Sequence, residues 1–154
     1  MIQRIQTVFL FLAVIALVLF NIFPYWQSAV DTNGELVRLM SYALLSGSVE
    51  EATYNFGYYV VVGGLSGVAI VLLIIEIFSY KNRLLQMKIA IGISFLMSIN
   101  LVLMTLFIVN LQKQQEGTFG IGVFIFALAM LLNILARRFI QKDEKLVRSV
   151  DRLR

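Results

Sequence analysis

Residues 89–112 read IAIGISFLMSINLVLMTLFIVNLQ, with no formal charge anywhere in the run. A helix needs ~20 apolar residues to cross ~30 Å of hydrocarbon, so this segment is long enough to span a bilayer. Three more charge-free runs accompany it, at 5–30, 52–75 and 117–136. Of the 154 residues 60% are hydrophobic and 14% charged. A soluble domain has roughly 45–50% and about 25%. The sequence therefore predicts an all-α membrane protein, a bundle of four transmembrane helices spanning about 5–23, 57–79, 89–111 and 119–136. Residues 1–154 form one integral membrane domain, with an outer loop at 24–56 and a basic tail at 137–154.

Cysteine and histidine are both missing. Disulfides, thiolate nucleophiles, imidazole acid–base chemistry and metal sites built on sulfur or imidazole are thereby excluded. Glu50 and Glu51 are adjacent carboxylates, which point in different directions, and the loop offers no nucleophile or oxyanion site beside them. The expectation is a protein that is not an enzyme, with no catalytic residues, cofactor or metal.

Charge counting sets the orientation. If the four runs span, one side holds Arg4, Lys81, Arg83, Lys88, Arg137, Arg138, Lys142, Lys145, Arg148, Arg152 and Arg154, and the other only Arg38 and Lys113. Basic loops stay cytoplasmic, so both termini are expected inside, in a bacterial inner membrane. The first run is expected to remain as a span. Its apolar core is long, and bulky Tyr25 and Trp26 follow Pro24 where a cleavage site would need small residues.

Pro24 should end helix 1, leaving Tyr25 and Trp26 at headgroup depth. In the outer loop, Asn33-Gly34 suits a tight turn between Ser28–Thr32 and Glu35–Met40, which predicts a short extracytoplasmic β-hairpin. Leu36, Leu39, Met40, Ala43 and Leu44 also fit helical spacing, so an interfacial helix stays open. Gly63 and Gly67 stand four apart in helix 2, as do Ala90, Ser94 and Ser98 in helix 3. Such stripes permit close backbone approach, between these two helices or with a partner. Gly120 and Gly122 open helix 4, where they ease a tight start.

Three polar residues inside the spans need partners. Glu76 lies ~7 Å inside the boundary at 1.5 Å per residue from Lys81, within reach of Lys81, Arg83, Arg137 or Arg138, or of water by snorkelling. Asn133 lies near that depth and could bond to it. Asn100 sits near the bilayer centre, where a backbone carbonyl, a hydroxyl such as Ser66 or a partner subunit must satisfy its amide. The tail places Phe139, Leu146, Val150 and Leu153 on one helical face, with basic residues on the rest. This pattern reads as a cytoplasmic extension of helix 4 that lies on anionic lipid or docks a partner helix. Ribosome or RNA contact has less support, since aromatic residues are not interleaved with the charges, and DNA binding is not expected.

Three segments, MIQRIQT (1–7), YKNRLLQMK (80–88) and KDEKLVRSVDRLR (142–154), together resemble an uncharacterised family of Bacteroidota inner-membrane proteins, domain of unknown function 4293. The resemblance implies a four-helix inner-membrane protein and no assigned activity. A claudin-like pattern also has a strand-bearing first outer loop, but its paired loop cysteines and Trp-containing motif are absent, so that likeness is fold-level analogy. Taken together, the expectation is a scaffold or accessory subunit that engages another membrane or cytoplasmic protein, or the inner leaflet, through its basic face. The alternative is a small transporter or channel using Glu76 and Asn100.

Overall fold

The computed structural model describes residues 2–29, 36–47, 52–80 and 82–151, with side chains described for 5–29, 36–47, 53–80 and 82–146. Among the described residues, four helices are long and apolar enough to cross a membrane: α1 (Ile2–Ile22), α2 (Val60–Phe78), α3 (Arg83–Gln112) and α4 (Ile121–Asp151). Helix α1 stops just before Pro24, as the proline requires. Helix α3 starts six residues before the expected span, at Arg83, because the Asn82 side chain caps it by accepting from the Leu85 N–H at 3.1 Å. Helix α4 runs unbroken from the bundle into the tail, since no glycine or proline interrupts 123–151.

Helix α1 packs on α2 and α4, and α3 packs on the same two, so the four close a ring. Phe9 stacks on Phe139 at 5.3 Å and Phe20 meets Phe126 at 4.9 Å with the rings tilted, which fixes α1 and α4 antiparallel. Leu10, Leu17, Leu73, Ile93, Met97 and Met104 fill the interior. Outward, Phe11, Phe78, Phe95, Leu106, Phe124 and Leu131 are each more than half exposed. An apolar surface of that extent is suited to hydrocarbon rather than water.

The all-α expectation needs correction. Five short strands, β1 (Trp26–Ser28), β2 (Leu36–Leu39), β3 (Leu44–Gly47), β4 (Ala52–Asn55) and β5 (Gly117–Phe119), make an antiparallel sheet in the order β4-β3-β2-β1-β5. Strand β1 does pair with β2, Trp26 opposite Leu39, but the Asn33-Gly34 turn expected to join them lies outside the described residues. The interfacial helix over 36–44 is not formed. In its place β2 lies between β1 and β3, which supply the backbone bonds that a helix would have made internally, and β5 joins β1 from the α3–α4 connection.

Candidate functional site

At the sheet end, one asparagine ties three elements together. Asn21 anchors itself on α1 by donating from Nδ2 to the Leu17 carbonyl at 2.8 Å. Its Oδ1 lies 2.8 Å from both the Ser41 hydroxyl and the Ser66 hydroxyl, bringing together α1, the β2–β3 turn and α2. Gly63 belongs to this junction and not to an α2–α3 contact. Its N–H donates to the Ser41 carbonyl at 2.7 Å, and a Cβ there would stand 3.0 Å from the same oxygen. Around a Cβ built at Gly67 the space is open to 4 Å, so the expected Gly63/Gly67 face does not join α2 to α3.

Tyr25 and Trp26 also depart from expectation. Both are fully buried beneath the sheet, and the Tyr25 hydroxyl and Trp26 Nε1 have no hydrogen-bond partner, whereas a wet interface would have solvated them. Burial, with the neighbouring Tyr59 second, pushes the Tyr25 phenol up from its ordinary value. The Tyr59 phenol is pushed up to about 12 by burial and by the Tyr58 hydroxyl 3.1 Å away. Both rings stay neutral at physiological pH.

In the middle of the bundle, Asn100 Nδ2 donates to the Val62 carbonyl at 3.2 Å, so a backbone carbonyl of α2 is its partner, and Ser66 turns to Asn21. Asn133 Nδ2 donates to the Ser94 hydroxyl at 3.0 Å and does not reach Glu76. Ser94 and Ser98 each donate back to their own helix, to the Ala90 and Ser94 carbonyls, and only Ala90 and Ser94 of that stripe face inward. Asn100 Oδ1 remains buried and unpartnered. Asn100→Leu removes one weak bond together with one orphaned acceptor, so thermal unfolding in detergent should shift by no more than about 1 kcal/mol in either direction.

Glu76 is where the structure differs most from the sequence reading. Snorkelling or pairing with a basic side chain was expected; the residue is instead fully buried, and neither carboxylate oxygen has a hydrogen-bond partner. Arg83 is engaged elsewhere, at 3.2 Å from Asp143 of α4 and donating to the Asp143 carbonyl at 3.4 Å. Lys81 lies outside the described residues. Two glutamines that sequence reasoning passed over flank this end: Gln6 of α1 and Gln86 of α3, 2% and 1% exposed, each with Oε1 buried and unpartnered. Gln86 Nε2 donates to the backbone carbonyl of Glu76 itself at 3.1 Å. The signal that could have found them is their spacing, because Gln86, Ala90, Ile93, Met97, Asn100 and Met104 form one buried stripe of α3.

The basic end is only partly free. Arg83 is held by Asp143 and Arg137 is half-buried, whereas Lys88, Arg138, Lys142 and Lys145 are exposed. Leu146, on the expected apolar face, is 47% exposed. The side chains of Arg4, Arg148, Val150, Arg152, Leu153 and Arg154 lie outside the described residues. Beside this end, Phe11 and Leu12 of α1 and Ile77 and Phe78 of α2 line an apolar groove of about 620 Å³ that opens outward.

These features define a multi-pass membrane protein: four helices with polar side chains turned into their interior, one end roofed by a sheet and the other carrying exposed basic residues. The chain belongs to the family described as Domain of unknown function (DUF4293), whose model matches residues 2–153. Comparison with curated proteins finds no match.

Proposed function

We propose that this chain is a non-enzymatic scaffold or accessory subunit of a bacterial inner membrane, with both termini cytoplasmic. Its basic end engages an acidic partner protein or the anionic leaflet. One observation carries the reading. The Arg83–Asp143 pair clamps the extension of α4 to the start of α3, so Lys88, Arg138, Lys142 and Lys145 project from one rigid end instead of a loose tail. Basic groups held near an anionic membrane surface contribute ~1 kcal/mol each, and a preformed helix spares a partner the cost of ordering it.

Truncation after Arg138 should leave the protein inserted in membranes but strip whatever copurifies with it in mild detergent. Reversing Lys142 and Lys145 to glutamate should do the same without shortening the chain. An unchanged set of copurifying proteins and lipids in both variants would count decisively against the proposal.

A second reading is favoured by the buried Glu76 carboxylate: a small transporter or channel that uses Glu76 and Asn100. Replacing both by apolar residues and finding unaltered ion and solute flux in proteoliposomes would remove it.

A further inference from the structure

The interior of the basic end has an imbalance of hydrogen-bonding groups. Four side-chain acceptor oxygens are buried there without a donor: both of Glu76, one of Gln86 and one of Gln6. They come from α2, α3 and α1, and all three residues are at most 2% exposed. Gln86 is fixed in orientation, because its Nε2 is spent on the Glu76 backbone carbonyl at 3.1 Å, which leaves Oε1 as its free atom. Among the described residues of this end, one orphaned donor stands against them, Arg137 Nε on α4. On antiparallel α3 and α4, the contacts of Asn133 with Ser94 and of Arg83 with Asp143 place Arg137 level with Ala90, one turn of α3 from Gln86. Arg137 makes no ion pair with Glu76, and Arg83 is occupied by Asp143.

An ionised carboxylate buried without a donor is costly, and it is relieved either by taking up a proton or by an opposing charge, which water alone does not bring. One negative charge with neutral amide oxygens beside it is a donor set for a hard cation of single charge, since such ions take oxygen ligands and a divalent ion would leave an excess of charge. We propose that the bundle holds one alkali-metal cation, sodium or potassium, against the Glu76 carboxylate, with the amide oxygens of Gln86 and Gln6 as neutral ligands. Arg137 is the competing cation, poised to close on Glu76 when the ion leaves. The inference goes beyond both readings of function, since a bound ion need not cross the bilayer.

The test uses the full chain in neutral detergent, with thermal unfolding followed in sodium, potassium or choline chloride at constant ionic strength. Direct binding is read with radioactive sodium and rubidium. Sodium or potassium should raise the midpoint relative to choline and saturate at one ion per chain. Glu76→Gln should lose that increment while unfolding in choline as the parent does. Gln86→Leu should weaken the apparent affinity about tenfold, the loss typical of removing a supporting ligand group. Arg137→Gln should tighten it by removing the competitor. Should Glu76→Gln fail to fold, Gln86→Lys replaces it: a tethered ammonium should abolish the sodium and potassium response and keep the chain folded in choline. Equal midpoints in all three salts for the parent, a response to calcium or magnesium alone, or an undiminished response in Glu76→Gln or Gln86→Lys would each overturn the site.

Discussion

Gly120→Ala is expected to destabilise the protein by about 3 kcal/mol or more. The reason is space. A Cβ at Gly120 would press into the Pro24 carbonyl oxygen and stand 2.9 Å from the Pro24 carbonyl carbon, backbone atoms that no rotamer change can move. The Gly120 N–H donates to the Tyr25 carbonyl at 2.9 Å and the Gly122 N–H to the Pro24 carbonyl at 3.0 Å, so the shift that relieves the clash also breaks the seam joining the start of α4 to the end of α1. Overpacking costs about 1–3 kcal/mol, and each backbone bond lost adds about 1 kcal/mol. Trypsin sensitivity of the purified protein and its thermal midpoint should both report the loss. An alanine variant that melts with the parent would show that the seam is looser than the distances say.

Trp26→Ala should cost about 3–5 kcal/mol, the range for deleting a large buried aromatic side chain. The indole is fully buried where the sheet meets the bundle, and its strand lies between β2 and the edge strand β5: Trp26 stands opposite Leu39 on one side and Phe119 on the other. A Cβ at Gly117 would collide with the indole ring, so the ring is enclosed on that side as well. The cavity left by alanine lies under β1, β2 and β5, and those strands should lose amide protection together in hydrogen exchange while the interiors of the four helices retain theirs. Trp26→Phe, which keeps most of the apolar volume, should recover more than half of the loss. Equal loss of protection in the α2 and α3 interiors would place the indole in a different cooperative unit.

The candidate site was legible in part. Glu76, Asn100 and Asn133 declare themselves because a polar residue inside an apolar run must be accounted for wherever the fold puts it. Their partners do not, since a partner depends on which faces of four nearly uniform cylinders turn toward each other. Depth alone paired Asn133 with Glu76, and rotation of the helices delivered Asn133 to Ser94 and Gln86 to Glu76. Gln6 and Gln86 drew no attention in the sequence, because glutamine near a span end is ordinarily solvated. Only burial distinguishes them.

Composition and the lengths of the charge-free runs determined by themselves that four helices are present, where Pro24 stops the first, and that the tail continues the last. Each follows from local quantities: the transfer free energy of a side chain, the rise per residue of a helix, the steric demand of a proline. The sheet was decided only in three dimensions. Its strands are three or four residues long; the sequence suggests a hairpin only around β1 and β2, β3 and β4 are indistinguishable in sequence from loop, and β5 joins from beyond two intervening helices. Strands that short form because a neighbour is already in place to accept their hydrogen bonds. The closed bundle places it there by setting the α3–α4 connection beside the end of α1.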